Sequence, residues 1–155
     1  MIPGPESRAK IDAAVREYPH APSALLAVLH LLQQERGYIA PEDQVWAAGR
    51  LGLSVAHVAG VVSFYTLFRQ KPMGRHHVQF CRTLSCQLRG ARDLLEHLKR
   101  RLGIREGEIT TDGRFSLVAV ECLGSCGTAP MMQVNDDYHE SLTRERLDAL
   151  LDSMK

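Results

Sequence analysis

His77-Val78-Gln79-Phe80 runs directly into Cys81-Arg82-Thr83-Leu84-Ser85-Cys86. The first four residues alternate polar and apolar, as a half-buried strand does. Two thiols then follow within six residues. Further on, Leu94, Leu95, Leu98 and Leu102 give residues 88–102 a helical period. Phe115 to Val120 is a β-rich run. Met131 to Val134 and Tyr138 to Glu140 flank Asn135-Asp136-Asp137, which reads as a hairpin turn. Thr143 is placed to cap a last helix through Leu147 and Leu150. Strand, helix, strand, hairpin and helix in that order predict an α/β layer on a small sheet.

Lys71-Pro72-Met73-Gly74 is the expected linker, and upstream of it the pattern is different. Ile11, Ala14, Val15 and Tyr18 mark a helix from Ser7 that Pro19 stops. Ser23 is the expected cap of a second, carrying Leu25 to Leu32 and ended by Gly37. Pro41, with Glu42 and Asp43, suits the first turn of a third, which Gly52 ends. Ser54 caps a fourth through Val55, Val58 and Val61. The expectation is an α+β chain with a helical bundle over residues 1–72 and an α/β domain over residues 73–155.

Composition narrows the function. Nineteen Lys and Arg against eighteen Asp and Glu leave a formal charge of +1, and 6% of residues are aromatic. Neither a basic patch for phosphates nor a stacking surface for bases is indicated, so no nucleic-acid partner is expected. The apolar runs fall short of the ~20 residues of a membrane span. The N-terminus has no apolar signal core, so the expected compartment is the reducing cytoplasm, where disulfides are disfavoured.

All four cysteines lie in the second half: Cys81 and Cys86 as C-x4-C, then Cys122 and Cys126 as C-x3-C. Each pair follows a predicted strand, and loops after neighbouring strands share one sheet edge. Four buried, unrelated thiols are the plain alternative. A dithiol redox couple requires C-x-x-C, which neither pair has. A zinc site of four thiolates and a [2Fe–2S] cluster with two thiolates per iron both remain. A Rieske centre needs two histidine ligands, and no His lies within three residues of a cysteine. Gly124 and Gly127 let backbone N–H groups approach the sulfurs, or are simply turn residues. Arg82 and Arg89 are candidates for tuning the site, for docking, or for ordinary solvated charge.

Cys81-Arg82-Thr83-Leu84-Ser85-Cys86, Gly90, and Glu121-Cys122-Leu123-Gly124-Ser125-Cys126-Gly127-Thr128-Ala129-Pro130-Met131-Met132-Gln133-Val134-Asn135 resemble the thioredoxin-like [2Fe–2S] ferredoxin subunits of bacterial respiratory complex I. Gly37-Tyr38-Ile39, Leu53-Ser54 and Gly60-Val61-Val62-Ser63-Phe64-Tyr65 extend the resemblance into the helical half. It implies a helical bundle followed by a thioredoxin-like domain. It also implies a [2Fe–2S] cluster with Cys81 and Cys86 on one iron and Cys122 and Cys126 on the other. The chain would be an electron-transfer subunit of an NADH:quinone oxidoreductase, with no active site of its own. Its partners would be an NADH-binding flavoprotein subunit, which carries FMN and binds NAD, and the large iron–sulfur subunit. The place would be the peripheral arm on the cytoplasmic side of the inner membrane, without membrane insertion. Small subunits of NAD-dependent formate dehydrogenases and NAD-reducing hydrogenases resemble the chain too. No G-x-G-x-x-G or P-loop is present to cradle phosphates.

The remaining residues read plainly. The seven histidines are scattered, without ligand spacing, and are expected to be exposed or hydrogen-bonded. Trp46 and the group Phe64, Tyr65 and Phe68 are either core or, with helices three and four, a face for the flavoprotein.

Overall fold

The computed structural model describes residues 3–154 and divides into two compact units on either side of the Pro72–Met73 bond. In the first, α1 (Pro5–Arg16) begins on a proline, whose missing N–H costs nothing in a first turn. It buries Ile11 and Val15. The helix starts two residues earlier than the apolar period indicates and ends at Arg16, leaving Tyr18 outside. Ser23 does not cap α2 (Leu25–Arg36). A 3-10 turn over Ala21–Ala24 runs straight into it and occupies the position a side-chain cap would take.

Helix α3 (Pro41–Leu51) starts as expected on Pro41. The Asp43 carboxylate accepts the Ala40 N–H at 2.9 Å, satisfying an otherwise unpaired donor of the first turn. Asp43 is buried and stands 3.0 Å from Arg36 Nη1, which offsets the cost of burying its charge. Helix α4 (Val55–Phe64) starts on Ser54, whose hydroxyl oxygen accepts the His57 N–H at 3.2 Å. Ser54→Ala is expected to cost about 1 kcal/mol, measured as a lower urea midpoint. The core holds Ile11, Val28, Leu29, Ile39, Ala47, Val58, Val62 and Phe68.

The second unit is a four-stranded sheet in the order β2-β1-β3-β4. Strand β1 (His76–Cys81) pairs in parallel with β2 (Phe115–Val120), His76 opposite Phe115 and Cys81 opposite Val120. Strand β3 (Met132–Val134) is antiparallel to β1, and β4 (Asp137–His139) antiparallel to β3. This register puts Val78, Phe80, Leu117, Met132 and Val134 on one face. They share a core with Leu94, Leu95 and Leu98 of α6 (Ala91–Leu102) and with Leu147 and Leu151 of α7 (Arg144–Ser153). On the other face His77 Nδ1 and Ser116 Oγ, both buried, satisfy each other at 2.9 Å.

The helix read from Leu88 is two helices. A short α5 (Leu84–Leu88) is separated from α6 by Gly90 at φ +86°, a backbone state that glycine reaches without a Cβ penalty. The hairpin turn is also tighter than three residues. Val134 pairs with Asp137, leaving Asn135-Asp136 as the loop, with Asn135 at φ +54°. Asn135 then extends the ladder. Its side chain accepts the His77 N–H at 2.9 Å, and its N–H donates to the His77 carbonyl at 3.0 Å. The outer side of β2 is occupied by residues 107–110. Gly107 N–H bonds Leu117 O at 2.7 Å, and Thr110 N–H bonds Phe115 O at 2.8 Å. Thr143 caps α7 by accepting the Arg146 N–H.

Candidate metal centre

Because β1 and β2 are parallel neighbours in register, the segments that leave them start side by side. Cys81 is the last residue of β1, and the Arg82 N–H still bonds the Val120 carbonyl at 3.0 Å. Cys122 lies two residues beyond the end of β2. The chain returns through a 3-10 turn over Cys126–Thr128 to β3. Cys86 comes back on α5. Cys81 and Cys86 are buried, whereas Cys122 and Cys126 are exposed with their sulfurs 3.4 Å apart.

The two loops interlock. The Thr83 hydroxyl lies 3.3 Å from Cys81 Sγ and also reaches Cys122, and the Ser85 hydroxyl reaches Cys126. In return, the Leu123 N–H serves Cys81 and the Met131 N–H serves Cys86. The Gly124 N–H donates to Cys122 Sγ at 3.3 Å, with Gly124 at φ +85°. Gly127 sits in the 3-10 turn with no left-handed backbone. Of the two glycines, only Gly124 aims its N–H at a sulfur. Arg82, next to Cys81, pairs with Glu121, next to Cys122, at 2.8 and 3.1 Å. Its charge is therefore taken up in joining the loops, while Arg89 stands exposed.

The thiols are unequal. Burial opposes ionisation of Cys81, yet hydrogen bonds from Thr83, Cys86 and the Leu123 backbone outweigh it and hold its pKa below the usual thiol value. The Gly124 N–H and the Cys126 thiol lower that of Cys122. Burial, with hydrogen bonding to and repulsion from Cys81, pushes Cys86 up to about 11. Cys126 is raised by its hydrogen bond to Cys122 and by that neighbour's negative charge. One thiol of each pair is thus lowered and its partner raised, as expected when like charges crowd one site. A cation between the pairs removes that conflict by drawing off all the protons.

Among the described residues no three His, Cys, Asp or Glu side chains are gathered around a single point as a lone metal ion requires. The sulfurs stand as two pairs. The donor set fits a [2Fe–2S] group: four thiols, with backbone N–H groups and hydroxyls directed at them to balance negative charge. Two of the histidines are engaged elsewhere. His77 bonds Ser116, and His97 bonds Asp148 at 2.9 Å. Among the described residues no helix is long and apolar enough to cross a membrane.

Sequence alone does not bring Tyr138 and Glu140 to this site. The Tyr138 hydroxyl donates to the Leu123 carbonyl at 2.7 Å, and the Glu140 carboxylate accepts a hydrogen bond from the Ser125 hydroxyl. Both residues are distant in sequence from the atoms they hold, so no local pattern reveals them.

A family model described as thioredoxin-like [2Fe-2S] ferredoxin matches residues 11–155. An NADH-quinone oxidoreductase subunit of Rhizobium meliloti is 47% identical over 148 residues, 96% of this chain and 88% of the relative. NADH-quinone oxidoreductase subunit 2 of Thermus thermophilus is 48% identical over 134 residues, 86% of this chain and 74% of that one. Among solved structures, an NAD+-reducing [NiFe]-hydrogenase in the H2-reduced state superposes with a TM-score of 0.74 at 28% identity. That match takes in 88% of this chain but only 23% of the hydrogenase chain.

Proposed function

The chain belongs to the thioredoxin-like [2Fe–2S] ferredoxin family, and from that premise we propose that it is the electron-transfer subunit of an NADH:quinone oxidoreductase, with Cys81, Cys86, Cys122 and Cys126 holding its cluster. The observation that carries this reading is the meeting of two thiol pairs at one end of a parallel strand pair, with N–H groups directed at the sulfurs. When bound, a [2Fe–2S] cluster supplies one-electron exchange. The chain's own residues do the rest. The loops set the spacing of the pairs. Thr83, Ser85 and the backbone of Leu123, Gly124 and Met131 stabilise negative charge on sulfur. Phe80 and Met132 are fully buried in the same core cluster as Cys81 and Cys86.

The partner in this reading is an NADH-binding flavoprotein subunit that carries FMN, with the large iron–sulfur subunit beyond it. The chain then belongs to the peripheral arm of the complex, on the cytoplasmic side of the inner membrane. Residues 73–155 act as the ferredoxin domain and residues 1–72 as a helical docking domain. Phe68 is core, and Trp46 is only partly buried. Phe64 is 77% exposed, edge-to-face on Tyr65 at 5.1 Å, which supports a contact face at the end of α4. Leu84 and Leu88, 72% and 79% exposed on α5, flank the sulfur site and support a second.

The likeness to a hydrogenase favours a second reading, the same module serving an NAD-reducing hydrogenase. An NAD-dependent formate dehydrogenase belongs with it. The chain's high identity over most of its length to quinone oxidoreductase subunits favours the first. The test is direct. Anaerobically purified protein is expected to be reddish-brown, to hold equal iron and acid-labile sulfide, and to bleach on reduction. It is also expected to bind its flavoprotein in size-exclusion chromatography. A colourless protein with stoichiometric zinc would overturn the cluster, and a coloured monomer that ignores the flavoprotein would overturn the partner.

A further inference from the structure

The loop carrying Cys122 and Cys126 is exposed and has almost no core of its own, since its side chains are mostly small. It is held instead from the end of β4. The Glu140 carboxylate accepts from the Ser125 hydroxyl and is also hydrogen-bonded by that of Thr128, and the two hydroxyl oxygens are 2.7 Å apart. These three side chains form a closed triangle on either side of Cys126. Tyr138 grips the same loop at the Leu123 carbonyl, and the Ser141 N–H grips it at the Thr128 carbonyl at 2.7 Å. Glu140 is half-buried, and its oxygens face the loop.

Two consequences follow from elementary electrostatics. A carboxylate that accepts both hydroxyl bonds ties down the loop on either side of Cys126. It also sets a fixed negative charge beside a site whose reduction adds another, and like charges disfavour each other at short range. Resting on the reading that the four cysteines hold a cluster, we propose that Glu140 is a positioning residue. It anchors the Cys122–Cys126 loop through Ser125 and Thr128, and its charge keeps the reduction potential of the site low.

The test separates charge from anchoring. Glu140→Gln keeps an acceptor oxygen for Ser125 and removes the charge. Its midpoint potential is expected to move upward by an amount equal to about a tenfold change in the reduction equilibrium, 59 mV for one electron. Glu140→Asp, which keeps the charge on a shorter arm, returns the potential toward wild type while amides of residues 123–128 exchange hydrogen faster. Asp136→Asn, at the far end of the hairpin, is the charge control and leaves the potential unmoved. A Glu140→Gln potential equal to wild type overturns the electrostatic half. Unchanged loop exchange in Glu140→Ala overturns the anchoring half. If Glu140→Gln assembles no cluster, Ser125→Ala carries the test, because loss of the bridging hydroxyl must speed loop exchange. Wild-type protein free of iron and sulfide would defeat the cluster reading itself, and the exchange measurements would still judge the anchor.

Discussion

Cys122→Ala is expected to abolish stable cluster assembly while leaving the fold intact. Cys122 is exposed and lies outside the core, so its removal creates no cavity. Its sulfur is 3.4 Å from Cys126 and accepts the Gly124 N–H. On the proposed assignment, one of the two pairs would be left with a single thiolate, and the iron it would hold would gain an open position. Loss of an outer partner of a metal ligand already costs roughly 10–100-fold in affinity, and loss of the ligand itself must cost more. Iron and acid-labile sulfide after desalting should therefore fall to background, with the far-ultraviolet circular dichroism unchanged. A full complement of both in the variant would contradict the ligand assignment. Cys86→Ala is a poorer test, because Cys86 is buried and its truncation also disturbs packing.

The second large effect is expected at Gly74, just ahead of β1. A methyl group there would lie 2.4 Å from the Phe115 carbonyl carbon, 2.6 Å from the Ser116 nitrogen and 2.8 Å from the Phe115 oxygen. All three are backbone atoms of β2 and cannot swing aside. The strands are zipped together at this point. Arg75 N–H bonds Gly113 O at 3.1 Å, and His76 N–H bonds Arg114 O at 2.8 Å. Gly74→Ala must therefore part the start of the parallel pair, which carries the buried His77–Ser116 contact. We expect a loss of about 3 kcal/mol, the upper range for overpacking, and a fall of roughly 1–3 M in the urea midpoint of this unit. Read from sequence as part of a linker, the residue should tolerate alanine freely. A variant within about 0.5 kcal/mol of wild type would support the linker and remove the close-packing argument.

Sequence signals are sound where the chemistry is local. Pro41, Ser54, Gly37, Gly52 and Thr143 mark helix ends because caps and left-handed closures involve only near neighbours. The α5–α6 break escapes because leucine spacing continues across it, although Gly90 is an available sign. Ser23 fails as a cap because the alternative, a 3-10 turn, has no distinct side-chain signature. The aromatic group splits for a similar reason. Phe64 and Phe68 are chemically alike, and only the course of the chain after α4 buries one and leaves the other out.

The cysteines are legible as two pairs at strand ends. Their convergence depends on β1 and β2 being parallel neighbours in register, a long-range fact that no local pattern encodes. Thr83 and Ser85 sit in plain view between the first two thiols, and hydroxyls at such positions are a usable sign. Glu140 has none, because its link to Ser125 spans fifteen residues and a hairpin.

The segment 107–110 that lies along β2 bears on behaviour at high concentration. A sheet edge with free N–H and C=O groups invites a ribbon from another molecule. Here one flank is already occupied over its first half, and the opposite flank is a strand of only three residues with Asp137 at its start. The molecule thus offers little length for strand-on-strand polymerisation, even though the loop carrying Cys122 and Cys126 is exposed to solvent.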